Sequence, residues 1–250
     1  MSLPIWPPWA TPAFDECGYP APRLPVRGSE SIAPDLTAAP IQMKEHLRND
    51  TGSRRTLHPL PDKIKQRLYP VVLDLFSRRD FHQVNLRDIS HQTGISTGTI
   101  YKYFSSKEDL LFSILDEKMS ELPGLFAAQV RGLDDTAEIF RKIIWVSMDF
   151  YERNPAVAIT AFITVPTRTW MQEHSYRRED VKTILRELVE HGKARGDIDA
   201  SVTPRIIEMM YYMFCYRHIH TWYYHGMKWK LTDRIEEIFD LLWKAVRPGR

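Results

Sequence analysis

The sequence predicts an all-α fold, and three observations carry the prediction. From Asp62 onward, apolar residues recur at spacings of three and four, the period of one helix face. These segments are bracketed by capping residues on one side and by glycine or proline stops on the other. No run of alternating apolar and polar residues bounded by hairpin turns occurs, so strands are not expected.

The first part of the chain stands outside this pattern. Nine of the 17 prolines fall in residues 1–40, where no hydrophobic periodicity survives, so residues 1–43 are expected to form a disordered, Pro-rich tail. A basic lead, 44–61, follows and holds Arg48, Arg54 and Arg55. The tail before Met43 adds net negative charge beside a basic segment, so it is expected to be either a misassigned start or a dispensable extension.

Helix signals then follow in order. Asp62 is expected to cap a helix to about Arg79, with Ile64, Leu68, Val72, Leu75 and Phe76 on one side. Pro70 should kink or restart it, since a proline inside a helix costs about 3 kcal/mol. Asn85 caps a short helix, Leu86 to Thr93, which Gly94 ends in the left-handed conformation. Ser105 or Ser106 caps the next, with an apolar stripe of Leu110, Leu111, Ile114 and Leu115. Asp135 and Glu138 make a capping box before Ile139, Ile143, Val146 and Phe150. Asn154-Pro155 opens a further helix that Pro166 ends, and Val181, Ile184, Leu185 and Leu188 mark another, stopped by Gly192 or Gly196. Thr203-Pro204 starts a helix reaching toward Gly226, and Thr232 caps a last one ending near Pro248-Gly249.

Composition narrows the class. The 250 residues are 43% hydrophobic, enough to bury a core, and there is neither a run of eighteen uncharged apolar residues nor a basic start followed by an apolar block. The expectation is a cytoplasmic globular protein without a membrane partner. Cys17 and Cys215 lie in unlike contexts and lack metal-ligand spacing, so neither disulfides nor a metal site is expected. The formal net charge of +2 is unevenly spread: residues 44–107 hold twelve basic and six acidic side chains, while the segments on either side are slightly acidic. Such a basic middle suits a polyanion.

Within that basic segment lies "TGISTGTIYKYF", Thr93 to Phe104. Its paired glycines could cradle a phosphate, but such a loop needs a strand before it and a Lys-Ser/Thr pair or third glycine after it, and both are missing. A helix-turn-helix fits instead. Gly94-Ile95 makes the turn, Ile95 points inward, Ser96 caps a second helix, and Ile100 and Phe104, four apart, face the core. Thr97, Thr99, Tyr101, Lys102 and Tyr103 are left outside, where hydroxyls and a cation suit base edges and phosphates in a major groove.

With "LDLFSRRDF" before it, the stretch "LRDISHQTGISTGTIYKYFSSKEDLL" resembles the tetracycline-repressor (TetR) family of bacterial transcription regulators over about 45 residues. The resemblance implies an N-terminal helix-turn-helix DNA-binding domain, 62–107, followed by a helical ligand-binding and dimerisation domain, 108–250. It implies that Arg87, Thr97, Gly98 and Tyr101 lie at bases, Thr99, Lys102 and Tyr103 at phosphates, and Lys107 at a phosphate from the start of the fourth helix; Ser96 completes the DNA-reading set. Leu86 stands where the family often has threonine, Ser90 where it has alanine, and Asp80 where a turn glycine is usual, although Asp tolerates the left-handed region.

The remaining helices are expected to regulate. "IIEMMYYMFCYRHIHTWYYHG" is apolar nearly all round, so it must bury on several sides. In a homodimer of the implied kind, Ile206 to Tyr224, with Ile235, Ile238, Phe239, Leu242 and Val246, would form the interface, and core or interface is the preferred reading of its tyrosines. His218, His220 and His225 lack metal spacing and are expected at the solvent or the interface. Trp145, Met148, Phe162 and Trp170 are expected to line a pocket for a small, mostly apolar effector. The function implied is a repressor released from a palindromic double-stranded operator by that effector, with no cofactor. An enzyme acting on a small hydrophobic substrate in the helical cavity is the alternative, and the sequence offers it no nucleophile motif, metal spacing or nucleotide loop.

Overall fold

Eleven α-helices and no strand make up the described residues, 60–173 and 179–249 of the computed structural model. The Pro-rich tail, Cys17, Met43 and the three arginines of the basic lead lie outside them.

Helix α1 (Asp62–Arg78) begins with Pro61 at the cap position, and Asp62 sits inside the first turn, where its charge opposes the positive helix end rather than capping it. Pro70 does not interrupt this helix. Gln66 and Pro70 are both exposed, so the carbonyl that loses its amide donor is on the wet side. The apolar side, Leu68, Val72, Leu75 and Phe76, is buried. A single 3-10 turn, Phe81–Gln83, then leads to α2 (Leu86–Thr93). Asp80 before it is extended, with φ −56° and ψ 140°, so the turn needs no left-handed residue there.

Helices α3 (Thr97–Tyr101) and α4 (Lys107–Met119) follow, and α1 packs on both α2 and α4. Lys65 and the Tyr69 hydroxyl both reach Glu117 of α4, at 2.8 and 2.7 Å. Burial, and then the Glu117 carboxylate, push the Tyr69 phenol well above its usual range, so it stays a donor.

Two helices were not anticipated. In α5 (Leu122–Val130) Pro123 and Gly124 occupy the first turn and read as breakers, although proline is tolerated at that end. In α8 (Thr167–Gln172) Pro166 serves as the starting position as well as the preceding stop. Between them, α6 (Thr136–Arg153) starts on Asp135, whose side chain accepts from the Glu138 amide, and α7 (Pro155–Ile159) runs straight into a π-helical segment, Thr160–Thr164.

Helix α9 (Glu179–Arg195) ends before Gly196, which has φ +75°. Gly192 is not a stop but a contact: a Cβ there would lie 2.6 Å from Ile198 and 2.7 Å from Thr136, so only glycine lets α9 approach the start of α6. Helix α10 (Pro204–Tyr224) starts on Thr203 as expected. The last helix, α11 (Ile235–Val246), starts three residues beyond Thr232, which does not cap it. The intervening loop is tied down instead: the Leu231 amide donates to Glu152 of α6 at 2.7 Å, and the Leu231 carbonyl lies 2.7 Å from His218 Nε2.

Candidate DNA-reading surface and apolar cavity

The outer face of α2 and α3 is built by short-range capping. The Asn85 side chain accepts from the amides of Arg87 and Asp88, both at 3.0 Å, and Gly94 ends α2 at φ 62°. The Thr93 hydroxyl holds the turn by accepting from the Ile95 amide at 3.2 Å, and Arg67 of α1 donates to the Thr93 carbonyl at 2.7 Å. Ser96 then caps α3 by accepting from the Thr99 amide. Ile95, Ile100 and Phe104 are buried, as the spacing requires.

On the other side, Arg87, Gly98, Tyr101 and Lys102 are exposed, and Arg87, Thr97 and Tyr101 line one open cleft. Tyr101 is 58% exposed, unusual for so large a ring. Arg78 pairs with Asp74 and Arg79 with Asp88. Gly98 is not forced by the fold, since a Cβ there would meet only Ser96 Oγ at 4.0 Å.

Four of the expected DNA contacts, Ser96, Thr99, Tyr103 and Lys107, are engaged inside the protein. The Thr99 hydroxyl lies 2.9 Å from Ser96 Oγ, and Tyr103 is half-buried against the core. Lys107 donates to the carbonyls of Phe81 and Val84 at 2.8 and 2.9 Å, with its ammonium 4.7 Å from the Phe81 ring centre. Two of its three donors therefore fasten the turn before α2, a use that its position at the start of α4 does not announce.

A second feature is a cavity of about 780 Å³. Met119 and Leu122 come from α4 and α5, Tyr151 from α6, and Ala161, Phe162 and Ile163 from the π segment. Trp170 of α8 and Val181 of α9 add to it, and α10 supplies Tyr211, Tyr212, Met213, Tyr216, Arg217 and His220. Phe162 and Trp170 are among the lining residues, held edge-on by Tyr151 at 5.1 Å and by Phe112 at 4.7 Å. Trp145 and Met148 do not line it. Met148 is fully buried in the core, while Trp145 lies partly exposed with the Lys142 ammonium 5.8 Å from its ring centre.

The cavity wall is almost uncharged. Burial pushes the Tyr211 phenol well above its ordinary value, and its hydroxyl pairs with Ser147 at 2.7 Å. Burial likewise pushes the neighbouring Cys215 thiol up to about 12, so it stays neutral. Among the described lining residues Arg217 is the one fixed cation, and none is a carboxylate. His220 Nε2 lies 2.6 Å from the Phe162 carbonyl, joining α10 to the π segment, and its ring is 4.1 Å from that of Tyr216.

Of the three histidines expected at the solvent or an interface, His218 is placed otherwise. His218 is buried against Leu231 within the chain and His220 faces the cavity wall, while His225 alone is exposed. Phe239 and Val246 are buried in their own chain, Phe239 edge-on to Phe140 at 5.8 Å. The outward apolar residues of this half include Ile206, Met209, Met213, Tyr216, Tyr223, Tyr224 and Leu241.

Comparison with known proteins agrees with this arrangement. Residues 73–114 match the family model described as bacterial regulatory proteins, tetR family. The fatty acid metabolism regulator protein of Bacillus subtilis (strain 168) is 22% identical over 172 residues, 68% of this chain and 89% of that protein. The HTH-type transcriptional regulator HbdR of Aromatoleum sp. (strain CIB) is 21% identical over 182 residues, 70% of this chain and 75% of that protein. Among solved structures, the fatty acid degradation regulator FadR from Bacillus halodurans superposes with a TM-score of 0.67 at 20% identity, covering 77% of this chain and all of that one. FadR from Bacillus subtilis in complex with stearoyl-CoA gives 0.65 at 19% identity, covering 73% and 99%. At these identities the superpositions speak to the fold.

Proposed function

From the match of residues 73–114 to the model of tetR-family bacterial regulatory proteins, we propose that this chain is a homodimeric repressor of that kind, which leaves a palindromic operator when a small, mostly apolar molecule enters the cavity. The observation that carries this reading is the cleft where Arg87, Thr97 and Tyr101 meet on the outer face of the helix-turn-helix. Arg87 is suited to guanine, Thr97 and Tyr101 to base edges, and Gly98 to close approach of the backbone. Thr99, Lys102 and Tyr103 suit phosphates, while Ser96 and Lys107 hold the reading helices in place and present their remaining donors to the same backbone.

In this reading residues 62–107 meet DNA and 108–250 hold the effector and the second subunit. Two recognition helices in a dimer would enter successive major grooves, about 34–36 Å apart. The π segment supports a route between the parts, because it lines the cavity and also packs against α1. A ligand that moves Phe162 or His220 shifts the equilibrium between operator-competent and released dimers. The volume, the apolar wall and one cation suit an acyl or aromatic body with a single anionic or polar end; the stearoyl-CoA held by the Bacillus subtilis FadR favours the acyl form. None of the relatives named above is called an enzyme, and no observation in the cavity favours turnover. No helix of the described residues is long and apolar enough to cross a membrane, which accords with work in the cytoplasm.

Selection of bound fragments from genomic DNA with the full chain tests this. The expected result is one palindromic site whose affinity falls steeply with salt. Equal recovery of unrelated fragments sinks the reading.

A further inference from the structure

Helix α10 carries an apolar stripe that the described residues leave uncovered. Ile206, Met209, Met213, Tyr216, His220 and Tyr223 follow one another at spacings of 3, 4, 3, 4 and 3, the seam of a helix that packs along another helix. Met209 is 54% exposed, Met213 63% and Tyr216 48%. The middle of the stripe has a second property. Met213, Tyr216 and His220 also line the cavity, so the cavity opens on this face.

We propose that the effector cavity is completed by the second copy of this chain, whose α10 lies antiparallel across the stripe and roofs the opening at Met213 and Tyr216. This rests on the dimer and cavity readings above and adds that neither subunit holds a finished site alone. The stripe itself argues for a second copy rather than another partner. Its spacings read the same in both directions, so an antiparallel copy meets it residue for residue, Met213 opposite Tyr216 and Ile206 opposite Tyr223. The same register sets Tyr212 of each copy opposite Arg217 of the other, a ring facing a guanidinium twice across the two-fold axis. Those two residues also line the cavity, so the pairing forms its rim. The partner thus removes water from the apolar wall and brings a second Arg217 to the mouth, which suits a ligand with an apolar body and an anionic end.

The probe is 1-anilinonaphthalene-8-sulfonate, an apolar anion that fluoresces in dry sites, titrated into the full chain. Dilution of the wild type across its dimer dissociation is expected to lower dye affinity at least tenfold, in step with the monomer fraction seen by sedimentation. Met209→Glu and Ile206→Glu alter exposed residues of the stripe outside the cavity lining, and each is expected to give folded monomers with the same loss. Arg217→Glu in an intact dimer should weaken the dye further. Folded monomers that bind the dye as tightly as the dimer overturn the shared cavity and leave the dimer reading standing. A wild type that sediments as a monomer at micromolar concentration overturns both, whereas a wild-type dimer that takes up no dye overturns the shared cavity alone.

Discussion

The reading surface and the cavity are made in opposite ways. On the reading surface each helix start is fixed by a side chain within three residues of it: Asn85 for α2, Ser96 for α3 and Ser106 for α4. The cavity has no such local author. Its walls come from Met119 to His220, and its key bonds, Ser147 to Tyr211 and His220 to Phe162, join residues 64 and 58 positions apart. The difference teaches that a DNA-facing helix can be altered without disturbing the rest, whereas the cavity exists only once the whole helical body has assembled.

The largest effect should come from breaking the assembled half. Phe239→Ala, which empties the position edge-on to Phe140, is expected to cost about 3–5 kcal/mol in urea unfolding. A cost under about 1 kcal/mol would mean that α11 contributes little to the body. Arg87→Ala or Tyr101→Ala, by contrast, should leave unfolding unchanged while weakening operator binding by about 1–3 kcal/mol, with random DNA bound as before. Loss of thermal stability in either variant would contradict the independence of the two regions.

Gly98→Ala sharpens the contrast by separating the two quantities in one residue. Since nothing in the fold crowds that position, alanine should stabilise α3 by roughly 0.5–1 kcal/mol, yet reduce operator affinity severalfold; a variant that gains both would remove Gly98 from the DNA contact. The smallest effect is a pH response. Burial, and then the positive charge of Arg234, lower the His218 imidazole below its ordinary value, while the Leu231 carbonyl partly opposes them. The unfolded chain therefore takes up a proton first as pH falls through about 6.5, and stability declines from there down to the lowered folded value and then levels off. Unfolding midpoints between pH 5 and 8 should show this slope, and His218→Gln should flatten it.

The same contrast explains what was legible in the sequence. A cap and its amide lie within one turn, so Asn85, Ser96 and Thr203 could be read directly, and so could the inward Ile95, Ile100 and Phe104. The cavity could not, because helical period gives the inward side of α6 without saying which neighbour it meets. Met148 points into solid core, and Tyr151, three residues further on, is the α6 residue that reaches the cavity. Composition also hid the division of α10. Aromatic residues all round a helix announce burial, but its tyrosines divide between core, cavity and open face only through tertiary packing. Lys107 shows the converse, a charge that looks outward in sequence and is turned back onto two carbonyls by a turn 23 to 26 residues earlier.

The π segment has a consequence best counted in chain length. Its closing bond runs from the Val165 amide to the Thr160 carbonyl, five residues back, so Thr160–Thr164 is an α-helical turn with one residue too many. The surplus leaves a mark: the buried hydroxyls of Thr160 and Thr164 have no partner among the described residues, where ordinary helical threonines bond a carbonyl one turn back, as Thr93 does to Ile89. A shorter chain lacking one of these five residues could therefore close the same turn as regular α-helix and still deliver Val165 and Pro166 to α8. Loss of Thr160 or Thr164 would remove an unpartnered hydroxyl, whereas Phe162, whose carbonyl meets His220, would have to stay.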